Sequence, residues 1–292
     1  RVVTQIRTAL DNARTKASLE GNEKECDMRK FALILGLLAG PVSAHEFWLE
    51  PTAYQVPSDG RLVANIVNGQ NFEGVILPLV PQRIANFAKF AGDLTAIVEG
   101  RTGDTPALDN PALAEGLNVV AYQARNATVD YENWEKFQKF LTHKDLGDQL
   151  SNHEARGLPL EGFKEVYSRY SKTLIGVGNA IGADRRVGLE TEILALTNPY
   201  TDDLSVGMRV QVYYRNDLRA DTQVEVFEKA PDETVIITTV RTDAEGIATV
   251  PVKSGYTYML DAVVLREPSD EVAAETGAVY QTLWANLTFA AP

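Results

Sequence analysis

The chain holds three histidines, His45, His143 and His153, and they are its best candidates for chemistry. His45 follows Pro41-Val-Ser-Ala44, where Val42 and Ala44 take the −3 and −1 places that a signal peptidase favours. A cut after Ala44 would put an imidazole and a free α-amine on one residue, so that both nitrogens could close a small chelate ring on one metal ion. Free α-amines titrate near pH ~8 and imidazoles near ~6.5, so shedding an ammonium proton costs little at neutral pH. Nitrogen donors of this kind suit Cu(II), Ni(II), Co(II) or Zn(II). A third ligand would come from the nitrogen of His143 or His153, or from an oxygen of Glu46 or Glu50. His143 lies in Leu141-Thr-His-Lys-Asp145 and His153 in Asn152-His-Glu154, ten residues on. That is not the i,i+4 spacing that lines one helix face, so the two do not encode a joint chelate locally. The plainer readings stand beside these. An N-terminal His can simply follow a cleavage site, and the other two sit in polar stretches typical of exposed turns.

Other chemistries find no foothold. The chain has no GxSxG, no phosphate-binding glycine loop followed by Lys-Ser/Thr, no HExxH and no dinucleotide fingerprint after a strand. No local motif selects a nucleophile, and pairs such as Asp202/Asp203 and Glu271/Glu275 read as solvated surface in so acidic a chain. Lys and Arg number 28 against 40 Asp and Glu, a formal charge of −12, which argues against nucleic acid or anionic lipid as the main partner. The single Cys, Cys26, excludes an internal disulfide framework and Cys-based zinc fingers. We therefore expect binding without turnover.

The elements that must position these residues begin after a leader. Met28-Arg-Lys30 and the ten residues Phe31–Gly40 form a basic and then an apolar region ahead of Pro41–Ala44. Ten residues span only ~15 Å as a helix, half of a bilayer core, so this is a signal peptide and not an anchor. Residues 1–27 read as an over-extension of the reading frame ahead of a start at Met28. The rival reading, a cytoplasmic extension before a signal anchor, would need a longer apolar run. Residues 1–44 hold seven basic and five acidic residues, so their removal would move the charge from −12 to −14. No membrane insertion of the remaining chain is expected.

From residue 45 the pattern is mainly β. Alternating runs bounded by turn residues predict strands at 61–67, 94–98 and 117–124. The middle changes period. Trp134, Phe137 and Leu141 lie three to four residues apart and predict a helix, and Phe163, Val166, Tyr167, Tyr170 and Leu174 predict a second one closed by Gly176 and Gly178. Strands return at 207–214, 222–227, 234–240, 247–252, 256–265 and 282–289. The expected architecture is two immunoglobulin-like or transthyretin-like sandwiches, 45–198 with a helical segment about 131–176, and 199–292. Their border falls near Pro199–Asp203.

The sequence resembles a bacterial periplasmic family of unknown function that often carries the label of a nickel-uptake periplasmic component. The resemblance rests on Ala44-His-Glu-Phe-Trp-Leu-Glu-Pro51 after a signal peptide and on the aromatic-basic segment Glu165-Val-Tyr-Ser-Arg-Tyr-Ser-Lys-Thr-Leu174. Gly188–Leu194 leading to Asn198-Pro-Tyr200, the Thr242–Gly246 turn and Leu287-Thr-Phe289 add to it. It implies a periplasmic location, His45 as the mature N-terminal residue, and a part in metal uptake or homeostasis beside a membrane transporter. His143 is not carried by it, because Thr142–Leu146 departs from the relatives' acidic pair and Gly-Leu. The expected function is thus binding of a divalent transition metal (Ni, Cu or Co) through His45 with Glu46, His143 and His153 as further ligands. The alternative is a structural or adhesion-type module whose loops bind protein or carbohydrate.

Overall fold

A computed structural model describes residues 45–292. The expectations for residues 1–44, the over-extension, the signal peptide and the cut after Ala44, lie outside the described residues.

Successive residues of the long strands are buried in different cores. Val119 and Val120, Leu174 and Ile175, Val226 and Phe227, and Val263 and Val264 each divide in this way. Side chains alternate across a sheet, so such splitting means a sheet covered on both faces. That sheet has ten strands. Its main path runs Val235–Arg241, Gln223–Lys229, Tyr256–Arg266, Ala278–Ala291, Phe163–Val177, Gly116–Ala124, Ile84–Ala91 and Leu94–Ile97. Neighbours on this path are antiparallel except at its centre, where Phe163–Val177 and Ala278–Ala291 run parallel from Lys164↔Ala278 to Thr173↔Thr288.

Two four-stranded sheets cover it. Glu46–Pro51, Arg61–Gln70, Glu73–Leu77 and Leu108–Pro111 lie on one face, where Leu49, Leu62, Ile66 and Leu108 meet Phe87, Val120, Tyr122 and Ile175. Thr191–Ala195, Met208–Tyr214, Asp217–Leu218 and Ile247–Val250 lie on the other, where Ile193, Val210 and Val250 meet Val226, Leu260, Leu287 and Phe289. The mainly-β class holds. The two layers of strand do not stand apart as separate sandwiches, however. The expected border near Pro199 does not divide the central sheet, which takes strands from both sides of it, and the described residues form one compact unit.

Trp134–His143 is the helix its apolar stripe predicts. Asn133 caps it by accepting from the Lys136 N–H at 3.1 Å, and Phe137, Phe140 and Leu141 are buried, with Phe137 and Phe140 against Tyr280 and Trp284. The second expected helix is instead the central strand Phe163–Val177. Burial on both faces leaves apolar residues at almost any spacing, and a subset three and four apart imitates a helix. The polar residues of the same run are buried as well: the Leu49 N–H donates to Ser171 Oγ at 3.0 Å, and Thr173 donates to the Thr288 carbonyl at 3.3 Å. Arg169 and Lys172 of this strand point to opposite faces of the sheet. Only Arg169 stacks on Tyr167, while Lys172 is buried between Asp184 and Glu192 at 2.7 and 3.0 Å.

Leu287 sits fully buried on the central parallel pair. Leu287→Ala should lower stability by about 2–5 kcal/mol. In urea this reads as a lower midpoint at unchanged slope.

Candidate functional site

Three elements meet over one face of the central sheet. Strand Glu46–Pro51 is laid across it by two hydrogen bonds, the Leu49 N–H to Ser171 Oγ and the Thr288 hydroxyl to the Leu49 carbonyl at 2.7 Å. This fixes Glu46, whose carboxylate also accepts from the Asn71 N–H at 3.3 Å. Within the sheet, Glu225 and Asp261 stand opposite each other in register on adjacent antiparallel strands. Helix Trp134–His143 ends beside them, with His143 in its last turn and Lys144 as its C-cap. The helix dipole favours cationic groups at that end.

Lys144 Nζ is the hub. It lies 3.0 Å from Asp261 Oδ2 and 3.6 Å from Glu46 Oε1, and it donates to Glu225 Oε2. The ring of Trp284 lies beneath it, 4.7 Å from Nζ to the centroid. Lys144 and its three carboxylates are buried, with side-chain exposures of 3–4%. Glu225 Oε1 reaches outward to His143 Nε2 at 2.7 Å, and the His143 side chain is 58% exposed. A dry ionic cluster therefore carries one imidazole at its mouth.

The electrostatics follow from that burial. Desolvation pushes the Glu46 carboxyl up to about 7 against the pull of the Lys144 ammonium, and it pushes Asp261 up against the same pull. Glu225 moves the other way. Burial acts to raise it, but His143 and Lys144 together outweigh that and hold it below the usual carboxylate range. Burial acts to lower Lys144, yet its three carboxylates keep it above an ordinary lysine. His143 is raised by its hydrogen bond to Glu225, which exceeds the opposing desolvation. Near neutral pH the cluster holds a firm Lys144–Glu225 pair and a Glu46 close to its midpoint.

Of the residues the sequence singled out, Glu46 and His143 fall in this one cluster. His45 precedes Glu46 and is exposed. His153 falls elsewhere, fully buried on Leu150–Ala155. Its Nε2 donates to the Pro159 carbonyl at 2.9 Å and its Nδ1 accepts from the Tyr280 hydroxyl at 3.1 Å. Both ring nitrogens are thus engaged, which corrects its place among the ligands: packing against Trp134 and Phe163 makes it a core residue, not an exposed turn. Glu50 also stands apart, accepting from Trp48 Nε1 at 3.4 Å. Among the described residues no three His, Cys, Asp or Glu side chains are grouped to hold a metal ion. Where Glu46, Glu225 and Asp261 converge, a tethered ammonium fills the space between them.

Lys144, Glu225 and Asp261 went unnoticed in the sequence. A lone Asp within the apolar run Tyr256–Leu265 was the available signal, since a carboxylate at an inward position of a two-sided strand needs a cation.

The fold and this cluster define a mainly-β protein whose covering strand and helix close over a buried ion network. The chain belongs to the family described as Domain of unknown function (DUF4198), whose model matches residues 42–266. A comparison with curated proteins gives no match.

Lys144→Met would leave three buried carboxylates without their cation, and should cost about 3–5 kcal/mol at pH 7. The loss should shrink toward pH ~5, where Glu46 and Asp261 take up protons more easily than ordinary carboxyls. Glu46→Gln should do the reverse. A carboxyl raised in the folded state stabilises fully below its unfolded value and loses that contribution as pH rises through about 7. Removing it should flatten the stability profile between pH ~5 and ~8 in urea titrations.

Proposed function

We propose that this is a binding protein for a divalent transition metal such as Ni, Cu or Co, acting in metal uptake or homeostasis outside the cytoplasm without turnover. His45, with residue 45 as the free N-terminus, supplies an imidazole and an α-amine, and His143 supplies the next nitrogen. The observation that carries this reading is the joining of Glu46 and His143 through Glu225 and Lys144. His45 directly precedes Glu46 in the chain, and this adjacency supports a site shared with the exposed His143. The neighbouring carboxylates favour a cation there, and Glu225 orients the His143 ring as an outer partner. No helix among the described residues is long and apolar enough to cross a membrane.

A second reading, an interaction module, draws on exposed apolar residues at strands that end the central sheet. Leu94 and Ile97 lie on one end strand, Ile236 and Ile237 on the other. Edges of this kind pair readily with other chains.

Calorimetry with Cu(II) and Ni(II) on protein beginning at His45 should give sub-micromolar, one-to-one binding. An added N-terminal Met should abolish it, His143→Gln should weaken it by at least ~10-fold, and His153→Gln should leave the affinity unchanged while lowering stability. Affinity should rise with pH through the titration of His143, because its Glu225-held proton competes with the metal. Absence of heat at a free His45, or binding indifferent to the added Met, would sink the metal reading and favour the interaction module.

A further inference from the structure

On the same face of the central sheet a cavity of about 760 Å³, with no histidine in its lining, opens between the first covering sheet and strands Gly116–Ala124 and Phe163–Val177. Its lining is mostly apolar and includes Phe47, Tyr122 and Tyr167, and Phe47 packs on Tyr122 with ring centroids 5.0 Å apart. It also includes Arg83, Arg125 and Arg169 and not one carboxylate. In a chain of net charge −12 that local excess of cations stands against the rest of the composition.

Arg169 is the informative residue. It is 8% exposed, and its guanidinium is held between the rings of Tyr167 and Trp284, with Cζ 4.8 and 4.1 Å from their centroids. Its Nη1 is buried without a hydrogen-bond partner. Two buried lysines are provided for: Lys144, on the same face, has Glu225 and Asp261, and Lys172, on the opposite face, has Asp184 and Glu192. Buried guanidinium groups are ordinarily satisfied by carboxylate, phosphate or carbonyl oxygens. Flanking rings hold this one but give its Nη1 no acceptor. A preorganised, incompletely satisfied cation beside an apolar cavity of small-molecule size is how a binding site for an amphiphilic anion is built.

We propose that this cavity binds a small organic carboxylate. Its apolar body rests on Phe47, Tyr122 and Tyr167, its carboxylate pairs with Arg169, and Arg83 and Arg125 stand exposed at the mouth to attract it. One buried cation matches a monoanion, and the apolar walls exclude a ligand that is charged throughout. No histidine lines the cavity, so the carboxylate would be held without a metal ion.

Calorimetry of the purified protein in EDTA, with 4-phenylbutyrate and octanoate as probes and 4-phenylbutan-1-ol and octan-1-ol as uncharged counterparts, tests this. At least one carboxylate should bind one-to-one and at least ~10-fold tighter than its alcohol, the preference expected of a charge-assisted hydrogen bond. Arg169→Met should remove that preference while sparing alcohol binding. Because Arg169 also packs against Trp284, an Arg83→Gln/Arg125→Gln double variant keeps the test open if the first fails to fold. It should weaken carboxylate binding several-fold and reduce its salt dependence. Neither carboxylate binding, equal affinity for acid and alcohol, or carboxylate binding unmoved by the folded variants would each overturn the proposal.

Discussion

Parallel pairing of Phe163–Val177 with Ala278–Ala291 is the constraint on which the rest of the structure depends. Parallel neighbours need a long crossover, and here the crossover carries all four strands of the second covering sheet together with three strands of the central sheet, Gln223–Lys229, Val235–Arg241 and Tyr256–Arg266. Ten paired positions, with one bulge after Lys164, join early and late parts of the chain at the middle of the sheet. Remove that seam and the two faces lose their common floor. The family match ends at residue 266, yet the strand Ala278–Ala291 beyond it forms half of the seam.

A floor covered on both faces must also accept polar residues, because so long a strand cannot be apolar throughout and keep one register. The chain places them in pairs on opposite faces. Lys172 meets Asp184 and Glu192 under one covering sheet, while Glu225 and Asp261 meet Lys144 under the other. Glu165 receives hydrogen bonds from Tyr131, at 2.8 Å, and from Thr282. A buried pair of this kind adds little net stability over an apolar core, but leaving one partner behind is costly. Such pairs therefore act as locks on register: a slip by one residue would send Asp261 to the face that lacks Lys144.

Much of this was legible in the sequence, and the failures have one physical source. Strands with one solvated or half-covered face announced themselves by alternation, as Arg61–Gln70 and Met208–Tyr214 do. The helix Trp134–His143 has a single buried stripe and was equally plain. Phe163–Val177 misled because burial on both sides erases period two, and its Tyr, Val and Leu residues then fall by chance at helical spacing. The merging of two expected sandwiches into one shared sheet follows from the same strand, since reading it as a helix removes the seam. At the site, Glu46 and His143 were identified by residue type alone. Their meeting, through Lys144, depends on tertiary approach between residues some hundred positions apart and leaves no local trace.

The two cations around Trp284 show what the sheet asks of each site. Lys144 and Arg169 both stack on that ring, at 4.7 and 4.1 Å, and the Asp261 carboxylate acts on both. Lys144 lies within 4 Å of three carboxylates and is saturated. Arg169 keeps a buried nitrogen without an acceptor and stands beside an open cavity. Their difference is one of geometry, not of net charge. An ammonium is satisfied by converging point acceptors, which the sheet and the covering strand supply, whereas a guanidinium needs acceptors in its own plane. Here two rings flank the guanidinium, and its Nη1 finds no hydrogen-bond acceptor in the fold. The same ring thus bounds a closed ionic lock on one side and an incomplete site on the other.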